Sequence, residues 1–359
     1  MRLIPALLLA AAALPSSGQD LKLNQIQAIG SHNSYHMAPP EALMKTVVKI
    51  NKDAAAWNYT HPPLAQQLEI GVRQFELDIF VDSKGGLFAN PMALKLAQLA
   101  GEKLPAFNAS GEYSKPGIKV LHVPDVDCWS TVPSLKGALE EMRAWSDKHP
   151  QHLPVMVLLE CKDQRDGAVP TKPETFTRER LLELEQEILA AIPAARILRP
   201  DDVRGTTPTL REAVVQKGWP TVDSLRGKFL FCLDNTDEIR SRYLESNPAL
   251  EGRLIFVSAP DEKDPAAAWF KCNDPKREKE QILRLVKAGF LVRTRSDVNK
   301  PDAAMKEAAF TSGAQWVSSD RFIKEKADSV TFDGNLFRVN PISAPEGSKG
   351  EKPLENIHR

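Results

Sequence analysis

Two histidines, three carboxylates and one amide stand where apolar runs of this chain end. His32 and Asn33 lie in Ser31-His32-Asn33-Ser34-Tyr35-His36, Glu76 and Asp78 in Glu76-Leu77-Asp78, His122 follows Leu121, and Glu160 precedes Cys161-Lys162. Asn33, Glu76, Asp78 and Glu160 offer the hard oxygen donors that divalent cations such as Ca²⁺ take. Three carboxylates packed together repel unless such a cation neutralises them. Glu76 and Asp78, two apart on a strand, point to one face. His32 and His122 are left free for proton transfer near neutral pH. The set suits metal-assisted acid/base chemistry on a phosphate.

Taken singly, each signal is weak. A Ser-His-Asn loop is usually a capped turn, Glu-x-Asp can be a solvated rim pair, and His122 before Val123-Pro124 can simply end a strand. Glu160 is harder to dismiss, because an unpaired carboxylate rarely closes a buried run. The conjunction of such intrusions at matching ends of consecutive runs carries the inference.

The elements that would position them are eight strand-like runs at 25–30, 73–80, 118–123, 155–161, 228–233, 254–259, 290–295 and 316–319. Most are rich in Val, Ile, Leu and Phe without clean alternation, as in strands covered on both faces. Helical patterns lie between them, at 134–148 with Ser134 as cap, 174–192, 276–288 ending at Gly289, and 301–310 opening on proline. Eight alternations predict an α/β fold, a (β/α)₈ barrel; no glycine-rich phosphate loop follows any strand, as an open doubly wound sheet would suggest. Insertions at 82–117 and 163–227 stand out, the first placed over the active face.

The composition is that of a globular domain: 359 residues, 42% hydrophobic, with 47 basic and 47 acidic residues. Zero formal charge argues against nucleic acid as a partner. Residues 1–18 read as a secretory signal peptide, with Met1-Arg2, an apolar run at 3–14 and small residues Ser16 and Gly18; the run is too short to span a bilayer. Export to the periplasm or medium follows, with no transmembrane segment. The barrel is expected over 19–340, with a polar tail at 341–359 and loose order from Phe332 onward. Cys128, Cys161, Cys232 and Cys272 permit either one disulfide or none.

The order His-Asn, Glu-x-Asp, His, Glu over the first four runs resembles the calcium-dependent phosphoinositide-specific phospholipase C family in its bacterial secreted form, and more broadly the barrel phosphodiesterases. The stretch from Tyr59-Thr60-His61-Pro62-Pro63-Leu64 through Gln67-Leu68 to Gly71-Val72-Arg73 adds to the likeness, His61 reading as a loop residue. The resemblance implies a phospholipase C-like TIM barrel and Ca²⁺ held by Asn33, Glu76, Asp78 and Glu160. It implies that His32 stabilises the transition state and His122 protonates the diacylglycerol oxygen. The inositol 2-hydroxyl would attack phosphorus to give a cyclic inositol phosphate, with Glu76 and His32 both candidates for its proton. Lys162 is a candidate phosphate contact or a counter-ion for the carboxylates. Arg293-Thr294-Arg295 resembles the family's Arg-x-Tyr, with Arg295 in the tyrosine's place; two arginines would suit an anionic, even phosphorylated, headgroup. Asp234 would orient an arginine or serve a turn. The implied partner is a phospholipid at a membrane surface, met transiently by a monomer; Trp57, Tyr59, Phe88 and Phe107 are candidate interfacial residues, or else lie packed under the insertions. A glycerophosphodiester substrate is the alternative on the same barrel. His36 is expected to have no chemical role.

Overall fold

The computed structural model describes residues 21–104, 106–165, 169–323, 326–348 and 354–355. The expected signal peptide lies outside the described residues. Ten strands run β1 Ile26–Ser31, β2 Gln74–Asp82, β3 Gly117–Val120, β4 Val155–Cys161, β5 Phe229–Leu233, β6 Phe256–Val257, β7 Trp269–Lys271, β8 Leu291–Arg295, β9 Trp316–Ser319 and β10 Phe337–Val339. Eight of them form a ring of parallel pairs in the order β1, β2, β4, β5, β6, β7, β8, β9 and back to β1. A single parallel bridge, Ser258 with Trp269, closes it between β6 and β7. The expected (β/α)₈ barrel is therefore present. Its strands are buried along almost their whole length, which explains their lack of alternation.

One expected strand is misplaced and one stave was not expected. The run at 118–123 is no barrel stave: its ordered part, β3, pairs antiparallel with β2, Ile79 opposite Val120 and Asp82 opposite Gly117. β2 thus overshoots the rim and β3 folds back beside it. The missing stave is β7, three residues following a short alanine run, too brief to show a periodicity. Gly30 is required where β1 meets β2, since a Cβ there would fall 2.0 Å from Gln74 Oε1.

Helices form where apolar spacing and caps coincide. Leu135–Lys148 buries Leu135, Ala138, Leu139, Met142 and Trp145, and Ser134 Oγ accepts from Gly137 N at 3.2 Å. The 174–192 pattern yields Arg178–Ala191, capped by Thr177, and the 276–288 pattern yields Lys279–Lys287. The last helix is Ala303–Ser312, started by Asp302 accepting from Met305 N rather than by Pro301. The first insertion contributes Met92–Leu99, which packs on Glu41–Ile50 and Lys52–Trp57 through Leu43, Val47, Ala54 and Ala93. All four cysteines are free and buried.

The described end of the chain is not loose. β10 pairs antiparallel with β1, Asn340 Nδ2 donates to Gly313 O at 2.7 Å, and Ile342 and Ala344 pack on the core. Glu355 accepts from Arg73 Nε at 3.0 Å and from Leu153 N at 2.7 Å. Arg73, buried beneath Trp145, would otherwise lack a carboxylate partner. Removing one member of a buried ion pair leaves an uncompensated charge. Glu355→Ala should therefore lower unfolding stability by about 3 kcal/mol in urea titration, without moving the side chains at the opposite rim.

Candidate functional site

Register delivers the carboxylates. Asp78 of β2 pairs with Glu160 of β4, and Glu76 sits two residues earlier on the same face. One oxygen from each of the three lies within 4.8 Å of the others. Each group meets the crowding differently. Arg293 of β8 bonds to Glu76 and overcomes burial to hold that carboxyl below its usual range. Asp78 is the least satisfied of the three: it is buried and neither of its oxygens accepts a hydrogen bond. Burial pushes it to about 6; the Lys162 ammonium at 3.3 Å opposes the rise and Glu160 adds to it. Lys162 also reaches Glu160, at 2.9 Å, which is the counter-ion placement.

Asn33 lies in the loop after β1. Its φ of +43° is left-handed, a region asparagine tolerates better than most residues. Ser34 N donates to Glu76 O at 2.9 Å and Glu76 N donates to Ser34 Oγ at 2.8 Å, so the loop is fastened to β2 at Glu76. Gln67 braces it from below, donating to Ser34 O. Asn33 is buried and its side chain is hydrogen-bonded to that of Tyr59. Three carboxylates, Asp78 among them buried and unsatisfied, fit a hard divalent cation of the Ca²⁺ type.

The two histidines flank the carboxylates, each with its own aspartate. His32 Nδ1 lies 3.1 Å from Asp320 Oδ1, and its Nε2 lies 3.9 Å from Glu76 Oε1. Asp320, against the cost of burial, is held far below the carboxylate range by His32, His61 and Arg295. His61 Nε2 donates to His32 O at 2.9 Å, fixing the backbone as expected of a loop residue. His122 arrives by a different route from the one its sequence position suggests. Because β3 runs back along β2, Leu121 N meets Asp78 O and His122 follows at the level of Asp78. Its Nδ1 lies 2.6 Å from Asp127 Oδ2. Burial lowers the His122 pKa, but the Asp127 hydrogen bond and charge outweigh it and the net shift is upward.

Of the substrate candidates, Lys162 faces the carboxylates and Arg293 is committed to Glu76, Asn273 and Ser318. Arg295 stands 3.7 Å from Asp320 and 3.4 Å from His32 Nδ1. Asp234 pairs with Lys271 on the unforeseen stave β7, not with an arginine. Sequence reasoning missed Lys271, Asp320 and Asp127. The available signals were an aspartate directly after the β9 run and one five residues beyond His122. Of the aromatic candidates, Phe88 is buried, whereas Phe107, stacked on Tyr113, Tyr59, stacked on His36, and Trp57, edge-on to His122, are partly exposed.

A family model described as phosphoinositide phospholipase C, Ca²⁺-dependent (PI-PLC-C1) matches residues 21–341. Among solved structures, a calcium-dependent phosphoinositol-specific phospholipase C from Pseudomonas sp., in a myoinositol complex, aligns with TM-score 0.57 at 16% identity, covering 90% of this chain and 96% of that one. A Ca²⁺-dependent phosphatidylinositol-specific phospholipase C from Streptomyces antibioticus aligns with TM-score 0.55 at 18% identity, covering 84% and 95%. At these identities the likeness concerns the fold. No curated protein matches the sequence significantly.

The raised Asp78 carries a measurable consequence. Its folded value of about 6 exceeds the ordinary 3.8, so between these values the folded chain keeps a proton that the unfolded chain has lost. The Asp78 contribution to stability without metal therefore falls as pH rises through that window and levels off above about pH 6. A cation takes the ionised site, so the rise in Tm on adding Ca²⁺ should be clear at pH 7 and much smaller at pH 5 by scanning calorimetry. Equal increments at both pH values would contradict the reading.

Proposed function

This chain belongs to the Ca²⁺-dependent phosphoinositide phospholipase C family, and from that premise we propose that Asn33, Glu76, Asp78 and Glu160 hold its calcium while His32 and His122 move protons at the scissile phosphate. The observation that carries the assignment is the Asp78 carboxylate, buried among acidic neighbours with both oxygens lacking a hydrogen bond. Bound there, Ca²⁺ would lower the pKa of the attacking hydroxyl and neutralise charge developing on phosphate oxygen.

The side chains divide the remaining work. Arg293 draws Glu76 down and so makes it the poorer base. His32, with Nδ1 held by Asp320, turns Nε2 toward the Glu76 side of the site and takes the proton of the inositol 2-hydroxyl as that oxygen bonds to phosphorus. His122 gives its Nε2 proton to the glycerol oxygen as the P–O bond breaks, with Asp127 stabilising the imidazolium. Diacylglycerol and a cyclic inositol phosphate result. Lys162, released from Asp78 and Glu160 when a cation takes its place, is within the site to meet phosphate oxygen.

The headgroup side is electrically balanced. Lys271 faces Asp234, Arg293 faces Glu76, and Arg295 faces Asp320. Cations already answered by carboxylates favour a hydroxyl-rich headgroup without further phosphates, so Arg293 and Arg295 are assigned to hydroxyl and phosphodiester contacts of phosphatidylinositol itself. Among the described residues no helix is long and apolar enough to cross a membrane. Export rests on the leader-like composition of residues 1–18. Transient lipid contact falls to the first insertion, whose helix ends on the exposed Leu99.

Headgroup release from vesicles should be Ca²⁺-dependent and abolished by EDTA, and faster with phosphatidylinositol than with its bisphosphate or with glycerophosphocholine. Full turnover in chelator would overturn the assignment. His122→Ala should lower kcat by about 10²–10⁴ while leaving the calorimetric Ca²⁺ affinity nearly unchanged.

A further inference from the structure

His36, the last residue of the opening motif, is fully buried and takes no part in the steps above. Its surroundings are those of a working group. Nδ1 lies 3.0 Å from Tyr59 O, and Nε2 lies 3.0 Å from both Oδ1 and Oδ2 of Asp127. The ring stacks on Tyr59 at 4.2 Å and presents its edge to His122 at 5.8 Å. The backbone joins the same node: His36 N donates to Asn33 O at 2.8 Å, and His61 N donates to His36 O at 2.9 Å.

A hydrogen-bond inventory assigns the protons. The Tyr59 carbonyl can only accept, so Nδ1 carries a hydrogen. The Asp127 oxygens accept from His122 Nδ1 and from His36 Nε2, so Nε2 carries one as well. Asp127 stays ionised in spite of burial because both imidazoles bond to it. His36 is therefore a buried ring held between a backbone carbonyl and a buried carboxylate, with no solvent to compete. One carboxylate bracketed by two rings has little freedom to rotate. His36, His122 and Asp127 could in principle ligate a metal, but these ring nitrogens and carboxylate oxygens are already engaged with one another.

We propose that His36 is a positioning residue for His122: its ring clamps Asp127 so that one carboxylate oxygen accepts the hydrogen bond from His122 Nδ1–H, leaving His122 Nε2 turned to the leaving oxygen. The proposal rests on the reading of His122 as general acid. It extends the acid into a His36–Asp127–His122 chain whose far end lies in the same loop as His32 and Asn33. The metal loop and the acid loop thereby share one anchor.

The test compares His36→Gln, which keeps an N–H directed at Asp127, with His36→Phe, which keeps the stacking ring but offers no donor. Both are assayed on phosphatidylinositol and on a nitrophenyl inositol phosphate, whose leaving oxygen needs no proton. On the lipid, His36→Phe should lower kcat by about 10–100-fold with KM within about twofold, and His36→Gln should recover most of that loss. On the nitrophenyl ester both variants should approach the unsubstituted protein. The low-field imidazole N–H proton resonance of the His122–Asp127 pair should vanish in His36→Phe and persist in His36→Gln. A Phe variant that loses equally on both substrates, or keeps full lipid activity, would overturn the proposal, as would an unchanged resonance. If the Phe variant does not fold, His36→Gln decides: a loss confined to the lipid, or none, supports the clamp, and an equal loss on both substrates overturns it. His122→Ala separates the two readings. If it retains lipid activity, the acid assignment has failed, and the resonance alone then supports or overturns the clamp.

Discussion

Crowding of like charge at the ends of β2 and β4 is the constraint around which the rim is arranged. Parallel register sets Asp78 beside Glu160, and strand geometry puts Glu76 on the same face. Three carboxylate oxygens within 4.8 Å cannot all remain ionised and unpaired. The fold answers with Arg293 on Glu76 and Lys162 between Asp78 and Glu160. Asp78 is left raised to about 6, with its oxygens unsatisfied. That residual cost is one a divalent cation bound there would relieve.

The same rim shows how a barrel with few rim loops can gather chemistry from distant sequence. β2 continues past the rim, and β3 returns along it to set His122 at the height of Asp78. The insertion that follows β2 supports the His122 segment, since Asp125 accepts from Met92 N and Asp127 holds His122. The loop after β1 supplies His32, Asn33 and His36 in a row, and each is pinned by a different element: Asp320 after β9, Tyr59 before the second stave, and Asp127 after β3. The two aspartate–histidine pairs face each other across the carboxylates from opposite sides of the metal loop.

Much of this was legible beforehand, for a physical reason. A charged residue closing a buried apolar run is costly, so Glu76, Asp78 and Glu160 announce themselves in the sequence. Asp127 and Asp320 do not, because an aspartate in a turn is ordinary and its partner lies 5 residues away in one case and 288 in the other. β3 carried the composition of a stave, and composition does not encode direction. β7 was too short to register, and with it Lys271 and the Asp234 pairing went unseen. His36 looked idle because its meaning depends on a carboxylate 91 positions later.

The central claim is that the Glu76, Asp78 and Glu160 carboxylates form the calcium site and that Lys162 holds its place in the metal-free protein. Anomalous diffraction from crystals grown with Ca²⁺ tests it directly. The account predicts a single strong peak among those three carboxylates and the Asn33 amide, with the Lys162 ammonium moved off Asp78. A peak elsewhere on the barrel, or Lys162 unmoved with no peak at saturating Ca²⁺, would contradict it.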